Sequence, residues 1–328
     1  MDEFSLIDAL LEALGDVAGG PGVTLGPGDD CAITGAPRDA ELASTIDSLV
    51  CGRHFPQDAA AQLVGSRAIG VAVSDLAAMG AEPAFCIVAL TLPEGDEVWV
   101  RGFARGIADA ARRIRCAVVG GNLARGPLNI AVSAHGWVPA GRALRRSGAH
   151  PGDVVGLTGE LGGAVRALEH PRLLTVREPG ELAGITPDHP DYPLRRYYVP
   201  APRVNVGVAL RGVATAAIDV SDGLLADAGH LCTASRVAMR IDGERVPIAP
   251  GTGFERAVTG GDDYELCFTL PAAAWPGLEQ WATAAGERVS RIGEVVEGSG
   301  VQLAGSFDAA ALRRAGYQHF GQHIDRGA

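Results

Sequence analysis

The sequence predicts a protein of two α/β domains, and three observations lead to this fold class. At 328 residues the chain is longer than one ordinary hydrophobic core requires. Apolar residues make up 47% of it and charged residues 20%, the balance of a folded globular protein. Segments typical of strands and of helices alternate on both sides of a polar, turn-rich stretch at 145–153. We therefore expect an N-terminal domain over 1–147 and a C-terminal domain over 148–328.

The N-terminal half begins with a helical pattern over 4–14, where apolar residues share one face and Asp8 and Glu12 lie on the other. A strand is expected over 41–46, ending at Asp47. The alanine-rich stretch 58–81 has helical periodicity. The remaining expected elements are a strand at 85–92, a helix at 96–114 and strands at 116–122 and 128–138.

The C-terminal half repeats this alternation. The stretch AIDVSDGLLADAGH, residues 217–230, passes from a buried strand to a helix, and Ser221 and Asp222 are candidates to cap that helix. Several prolines predict a long loop at about 171–200. The other expected elements are strands at 154–159, 260–270 and 288–296 and helices at 161–169 and 202–212.

Charge and cysteine usage restrict the partners and the compartment. A formal net charge of −11 argues against nucleic acid, and it suits divalent cations as well as ordinary solubility. The acidic N-terminus does not resemble a signal peptide, and no uninterrupted apolar run reaches the ~18 residues of a membrane span. The six cysteines show no C-x-x-C spacing and most lie in apolar runs, as reduced thiols do. We expect a cytoplasmic protein that binds neither nucleic acid nor membrane.

The chain contains no lysine, since all 28 of its basic residues are arginine. A coding bias accounts for this composition, but the chemical consequence remains. A P-loop, a protein-kinase site and Schiff-base catalysis each require a lysine. The sequence therefore excludes these three mechanisms.

Acidic or amide side chains stand beside glycine, serine or a strand end at six places. Any single one of these places would usually be a turn or a helix cap rather than a ligand site. Six such places at strand ends favour a ligand site, and oxygen ligands suit Mg²⁺, whereas no zinc spacing occurs. Arg145 and Arg146 offer bidentate contacts to phosphate. The residues thus predict a Mg²⁺-nucleotide enzyme without a P-loop. The six places are Asp29-Asp30, Asp47, Asp75, Asn122, Asp219 to Asp222, and Asp262-Asp263.

An ordered set of motifs resembles the thiamine-monophosphate kinases. The set spans residues 26 to 268, and GYQHF at 316–320 extends it towards the C-terminus. That family belongs to a superfamily with aminoimidazole ribonucleotide synthetase, selenophosphate synthetase and a hydrogenase maturation factor. The motifs are GPGDDCAI, STIDSLVCGRHF, AVSDLAAMGAEP, VGGNLARG, GRALRRSGAHPGD, IDVSDGLLADAGH and GGDDYELCF.

The resemblance implies an α/β, or α+β, two-domain fold like that of aminoimidazole ribonucleotide synthetase. Residues 1–147 would form a mixed-sheet domain that binds ATP and Mg²⁺ and dimerises, and 148–328 would complete the site. The implied activity is ATP-dependent phosphorylation of thiamine monophosphate to thiamine diphosphate, by direct in-line transfer with several Mg²⁺ ions in a homodimer. Implied metal ligands are Asp30, Thr45, Ile46 through its carbonyl, Asp47, Asp75, Asn122, Asp219 and Asp222. Implied ATP contacts are Gly121, Asn122, Arg146 and Ser221, and implied substrate contacts are His54, Asp262 and Tyr317.

Two departures and several alternatives accompany this reading. Asn122 stands where many members carry Asp, and Asp262 where Glu is commoner, one methylene longer. His54 also suits a buried structural histidine, Tyr317 a packed anchor, and Asp29 competes with Asp30 as ligand. Two other functions remain open at this stage: another ATP-dependent synthetase of the superfamily, or a nucleotide-binding sensor without turnover.

Overall fold

A computed structural model describes residues 3–169, 181–182 and 184–305 of the chain. The helices are α1 (Glu3–Leu14), α2 (Ala61–Ala78), α3 (Glu97–Ile114), α4 (Gly163–Glu169), α5 (Tyr192–Tyr198), α6 (Val204–Leu210), α7 (Leu224–Ser235), α8 (Phe254–Thr259) and α9 (Trp275–Ala285). The strands are β1 (Val23–Leu25), β2 (Ile33–Thr34), β3 (Ala40–Val50), β4 (Glu82–Leu92), β5 (Ala117–Arg125), β6 (Asn129–Pro139), β7 (Asp153–Thr158), β8 (Ala216–Val220), β9 (Ala238–Asp242), β10 (Glu265–Pro271), β11 (Val289–Val296) and β12 (Gly300–Ala304).

The N-terminal half is built on a four-stranded sheet in the order β3-β6-β4-β5. β3, β6 and β4 pair antiparallel, whereas β4 and β5 pair in parallel, so the mixed sheet that the resemblance implies is confirmed. Residues alternate along β6 between buried and half-buried, because one face packs on α2. α3 approaches α2 closely at Gly106, where a Cβ atom would lie 1.9 Å from the Gln62 carbonyl oxygen. α2 is therefore enclosed between the sheet and α3.

The C-terminal half is built on a six-stranded sheet in the order β12-β9-β11-β7-β10-β8. The pair β12 and β9 is parallel, and the other neighbours in this sheet pair antiparallel. One apolar core lies between this sheet and the helices α7 and α8. A further core joins the two halves, since Ala77 at the end of α2 packs with Leu144, Val206 and Leu266. The halves are thus connected by buried contacts as well as by the chain.

Most expected elements occur at the expected places, with three differences. Asp47 lies inside β3, which continues to Val50, because its apolar alternation runs on past that carboxylate. The expected loop at 171–200 contains α5, whose tyrosines Tyr197 and Tyr198 are buried. The sequence analysis did not predict β1, β2, α8, α9, β9 or β12. Tyr317 lies outside the described residues.

Two further findings concern cysteines and membranes. The cysteines of the sequence are all free, and Cys86, Cys116, Cys232 and Cys267 are buried, as the apolar runs around them predict. Within the described ranges, every helix is too short or too polar to cross a lipid bilayer.

Candidate active site

A cavity of about 210 Å³ lies where the two halves of the molecule meet. β3, the C-terminal part of α2 and β8 form its walls, and Arg146 approaches from the segment that links the halves. The carboxylates of Asp75 and Asp219 therefore face one another across this interdomain cleft. Its lining comprises Ala43, Ser44, Thr45, Asp75, Leu76, Ala78, Met79, Arg146, Ala217, Ile218 and Asp219.

Two consecutive residues of α2 connect the walls of the cleft. The Thr45 hydroxyl of β3 donates a short hydrogen bond to Oδ2 of Asp75. The neighbouring Ser74 hydroxyl donates to Oδ2 of Asp219 on β8, at 2.7 Å, and Asp219 is only 4% exposed. A helix in this position can present two adjacent side chains to different strands because successive residues point about 100° apart. α2 thus holds the acids of both halves in one place.

Two acids at the cleft, Asp47 and Asp219, have raised pKa values. Burial, together with the negative charge of Asp75, raises the pKa of Asp47 to about 6, although Arg67 opposes the rise. Burial and the charge of Asp75 raise the pKa of Asp219 to about 7, against the hydrogen bond from Ser74. Among the described residues, no arginine or histidine forms an ion pair with Asp47, Asp75 or Asp219. Positive charge from outside the chain would therefore favour the ionised forms of Asp47 and Asp219.

The donor atoms of the cleft fit Mg²⁺. They are carboxylate and hydroxyl oxygens, the ligand type that this ion prefers. In the described ranges no three acidic, histidine or cysteine side chains already form a complete metal site. Mg²⁺ commonly takes one or two protein carboxylates and completes its shell with water and substrate phosphate oxygens. The residues present match that partial ligand set, with the remaining positions left to a phosphate ligand.

A carboxylate deeper in the C-terminal half shapes the loop after β8. Oδ2 of Asp227 accepts hydrogen bonds from the backbone N–H groups of Ser221, Asp222 and Gly223, at 3.1, 3.0 and 3.1 Å. α7 begins at Leu224 without a side-chain cap, so the expected capping by Ser221 or Asp222 is wrong. Asp227 fixes the turn from inside the helix instead. The side chains of Ser221 and Asp222 therefore do not cap α7.

The substrate candidates Asp262 and His54 are connected through one buried arginine. Arg67 of α2 donates from Nη2 to Oδ1 of Asp262 at 2.7 Å and from Nη1 to the Tyr197 carbonyl at 2.8 Å. The Tyr197 hydroxyl in turn donates to the His54 carbonyl at 2.6 Å. The backbone N–H of Val50 donates to Nδ1 of His54 at 2.9 Å, which leaves the proton of the neutral ring on Nε2.

Other predicted ligands lie away from these contacts. Asp30 is exposed in the loop between β1 and β2, and Asn122 is exposed on β5. Gly121 is explained by packing as well as by phosphate binding, because a Cβ atom there would lie 2.1 Å from the Val88 carbonyl oxygen. The side chain of Ile46 points to the outer face of the sheet, so only its carbonyl is available as a ligand. In the described part of the chain, no hydrogen bond joins Asp30 or Asn122 to the cleft acids.

Sequence reasoning missed three residues that organise the site, namely Arg67, Ser74 and Asp227. Arg67 interrupts the apolar stretch LVGSRAIGVAV, and a charged residue inside a helix that is buried all round is a signal for a specific partner. Asp227 stands four residues after Gly223, where an acid near a helix start can accept backbone N–H groups. Ser74 precedes Asp75 and gave no separate signal.

Comparisons with known proteins agree along most of the chain. Residues 28–138 match the model of the N-terminal domain of AIR synthase related protein, and 150–305 match that of its C-terminal domain. A thiamine-monophosphate kinase of Escherichia coli (strain K12) is 38% identical over 307 residues, which cover 91% of this chain and 92% of the relative.

Two solved structures share this fold over nearly their full length. The crystal structure of thiamine-monophosphate kinase from Stenotrophomonas maltophilia K279a aligns with a TM-score of 0.81 and 39% identity, covering 93% of this chain and 98% of that one. AaThiL complexed with AMPPCP and TMP aligns with a TM-score of 0.73 and 32% identity, covering 97% of both chains.

Proposed function

This chain belongs to the AIR synthase related protein family and, within it, to the thiamine-monophosphate kinases, and from that membership we propose how its residues carry out the reaction. It is a kinase that uses ATP to phosphorylate thiamine monophosphate to thiamine diphosphate. The observation that carries the proposal is the meeting of Thr45, Asp75 and Asp219 with Arg146 around one interdomain cavity. A relative bound to AMPPCP, an ATP analogue, and TMP supports the same pair of ligands here.

The nucleotide phosphates would bind at the Arg146 side of the cleft. The Arg146 carbonyl accepts a hydrogen bond from the Ser235 hydroxyl at 3.1 Å, which fixes the backbone while the exposed guanidinium can reach a ligand. A guanidinium binds two phosphate oxygens at once, a role that no lysine of this chain can share. Ser221, at the end of β8, and the backbone of Gly121 and Asn122 are the further ATP contacts that we propose.

The cleft carboxylates would hold Mg²⁺ together with these phosphates. We assign Asp47, Asp75, Asp219 and Asp222 as its principal ligands, because the first three have no arginine partner among the described residues. The oxygens of Asp30, Thr45, Ile46 and Asn122 complete the proposed set. Bound there, Mg²⁺ would offset the negative charge that builds up as two phosphate groups approach.

The acceptor phosphate needs little activation by the protein. The second pKa of a phosphate monoester is about 6, so near neutral pH its oxygen is already nucleophilic. A direct in-line transfer therefore requires orientation rather than a general base. His54, with its proton on Nε2, can donate to the substrate, and Asp262 presents a carboxylate from the opposite half. Tyr317 stays a proposed contact from outside the described residues.

A second copy of the chain would cover the outer face of the N-terminal sheet. Ile46 is 67% exposed there, and Leu42, Val50 and Ile87 are each more than 40% exposed. Ile46 and Ile87 both pair with Ser133 in the strand register, so they lie in one row across the sheet with Ser133 between them. An exposed row of this kind is typical of an interface. We propose a homodimer through this face and a cytoplasmic location, in keeping with the free thiols.

The function is tested by mixing the purified chain with ATP, Mg²⁺ and thiamine monophosphate and measuring thiamine diphosphate by chromatography. Product that depends on all three components is expected. ATP consumption only with a different acceptor would favour a synthetase of the same fold, and binding of ATP without product would favour a sensor. Either result would overturn the proposed function.

A further inference from the structure

Arg67 is a buried charge in an apolar helix. Its side chain is 1% exposed, and α2 is buried along nearly its whole length. Burying a guanidinium is costly unless its donors are engaged. Its two terminal nitrogens bond Asp262 and the Tyr197 carbonyl, and its plane lies 4.0 Å above the centre of the Tyr197 ring. The position of this guanidinium is therefore fixed by three contacts on two different segments.

The contacts of Arg67 continue on both sides to the two residues proposed to bind the acceptor. On one side, Oδ1 of Asp262 also accepts from the Tyr264 hydroxyl at 2.9 Å. On the other, the Tyr197 hydroxyl reaches the His54 carbonyl at 2.6 Å. Arg67 and Tyr197 together thus connect Asp262 of the C-terminal half to His54 of the N-terminal half.

The backbone around Asp262 is strained, so the direction of its side chain depends on contacts such as that with Arg67. Asp262 has a φ of 69° and Tyr264 a φ of 53°, left-handed values that a bulky residue such as tyrosine seldom adopts. Backbone hydrogen bonds from Asp262 to Ser221 and from Tyr264 to Val220 hold the segment against β8. The carboxylate of Asp262 therefore stands on a strained turn, and its direction depends on the groups that bind it.

We propose that Arg67, acting with Tyr197, is a positioning residue that sets the distance and orientation between His54 and Asp262, and so defines the subsite for thiamine monophosphate. This inference rests on the proposed function. A ligand that touches both His54 and Asp262 is bound well only if the two halves hold them at a fixed separation. The nucleotide contacts assigned to Arg146 and Ser221 do not involve Arg67. The effect of losing Arg67 should consequently fall on the acceptor more than on ATP.

A matched control is available in Arg211, which is another largely buried arginine between the halves. Its Nε donates to the Gly80 carbonyl at 2.5 Å and its Nη1 to Glu82 at 3.0 Å. Arg211→Met therefore removes a carbonyl contact and a carboxylate contact, as Arg67→Met does, at a place away from the proposed substrate residues. It reports what the loss of a purely structural interdomain tie does to the kinetics.

The test measures KM for thiamine monophosphate and for ATP in five variants: Arg67→Met, Arg67→Lys, Asp262→Asn, the double variant Arg67→Met/Asp262→Asn, and Arg211→Met. Arg67→Met should raise KM for thiamine monophosphate by roughly 10- to 100-fold, the range expected for a lost bond to a charged group, and KM for ATP by less than about threefold. Arg67→Lys, which keeps the charge but not the two-nitrogen fork, should recover part of the loss. The double variant should lose less than the sum of the two single losses, because the two substitutions share the Arg67–Asp262 contact.

A second pair of substitutions tests the other end of the tie. Tyr197→Phe keeps the ring under Arg67 and removes the bond to His54, so it should also raise KM for thiamine monophosphate and leave KM for ATP nearly unchanged. If Arg67→Met does not fold, Arg67→Lys, Asp262→Asn and Tyr197→Phe still decide the matter. Equal changes in both KM values, full additivity in the double variant, or the same profile in Arg211→Met would overturn the inference. A wild-type protein that makes no thiamine diphosphate would instead overturn the proposed function.

Discussion

Two buried groups of acidic residues in this molecule behave in opposite ways. In the C-terminal half, Glu265 is paired with Arg196 at 2.9 Å and with Arg203 at 2.6 Å. Burial by itself would raise the pKa of Glu265, but Arg203 and Arg196 outweigh it and lower the pKa to about 2. In the interdomain cleft, burial raises the pKa of Asp219 to about 7. Asp47, which is outside the cavity lining but near enough to feel the charge of Asp75, has its pKa raised to about 6, also chiefly by burial.

The opposite pKa shifts distinguish Glu265, which has a structural role, from the acids of the cleft, for which we propose a functional one. The acid of the Glu265 network has its cations within the chain, so the network is complete without a ligand. Burial and the charge of Asp75 disfavour the ionised forms of Asp47 and Asp219, so positive charge bound beside them would favour ionisation. A buried acid that has neither an internal cation nor a set of backbone donors, unlike Asp227, therefore suggests a place for an external cation.

The largest expected effect is on turnover when a cleft acid loses its charge. Asp47→Asn should lower kcat by about a thousandfold or more, because charge stabilisation by the metal supplies several factors of ten. Its melting temperature should be unchanged or higher, since a repulsive charge has been removed. Steady-state kinetics and calorimetry on the same preparation check both statements. An unchanged kcat would contradict the assignment of Asp47 as a ligand.

Neutralising Glu265 in the C-terminal network should instead lower the stability of the fold. Glu265→Gln leaves Arg196 and Arg203 without their shared partner and should lower the free energy of unfolding by roughly 3–5 kcal/mol. Glu294→Gln, which breaks an exposed pair with Arg240, is the matched control and should cost less than about 1 kcal/mol. Denaturant unfolding measures both. Equal effects would show that the Glu265 network is not structural.

A smaller effect, on KM for ATP, is expected when Arg146 at the cleft is replaced. Arg146→Met should raise KM for ATP by roughly tenfold and leave the stability nearly unchanged, because the Arg146 guanidinium forms no ion pair among the described residues. Arg145→Met, its neighbour outside the cavity lining, serves as control. If Arg145→Met had the larger effect, the phosphate contact would have to be reassigned.

The smallest expected effect is on the pH dependence of the metal-free protein. The folded-state pKa values of Asp47 and Asp219 lie above the unfolded values, so their contribution is most favourable at low pH and is lost as the pH rises through about 6 to 7. Asp219→Asn should therefore flatten the fall in melting temperature between about pH 5 and about pH 8 by a few °C. An identical pH profile in the two proteins would contradict the raised pKa of Asp219.

The fold was predictable wherever local patterns decided it. The amphipathic period of α3 and the alternation along β6 mark those elements clearly in the sequence. α5 was missed because prolines suggested a loop, whereas burial of Tyr197 and Tyr198 decides its structure. Local patterns carry no information about such tertiary burial.

The candidate site was predictable as a list of residues but not as an arrangement. Asp75 and Asp219 are 144 positions apart in the sequence, and only the packing of α2 between the halves brings them to one cavity. The apolar stretch around Arg67 signals that this arginine has a partner, but it does not say which partner. Its role depends on Asp262 and Tyr197, whose positions follow from the folded C-terminal half.

The central claim is that Mg²⁺ supplies the positive charge that offsets the carboxylates of the cleft. Calorimetric titration of Mg²⁺ into the wild-type protein and into Asp219→Asn, both in the presence of AMPPCP, tests it most directly. At about pH 6.5 the wild-type protein should bind Mg²⁺ with release of protons, because its carboxylates are partly protonated before the metal arrives. Asp219→Asn should bind at least about tenfold more weakly and release fewer protons. Equal affinity and equal proton release in the two proteins would contradict the account.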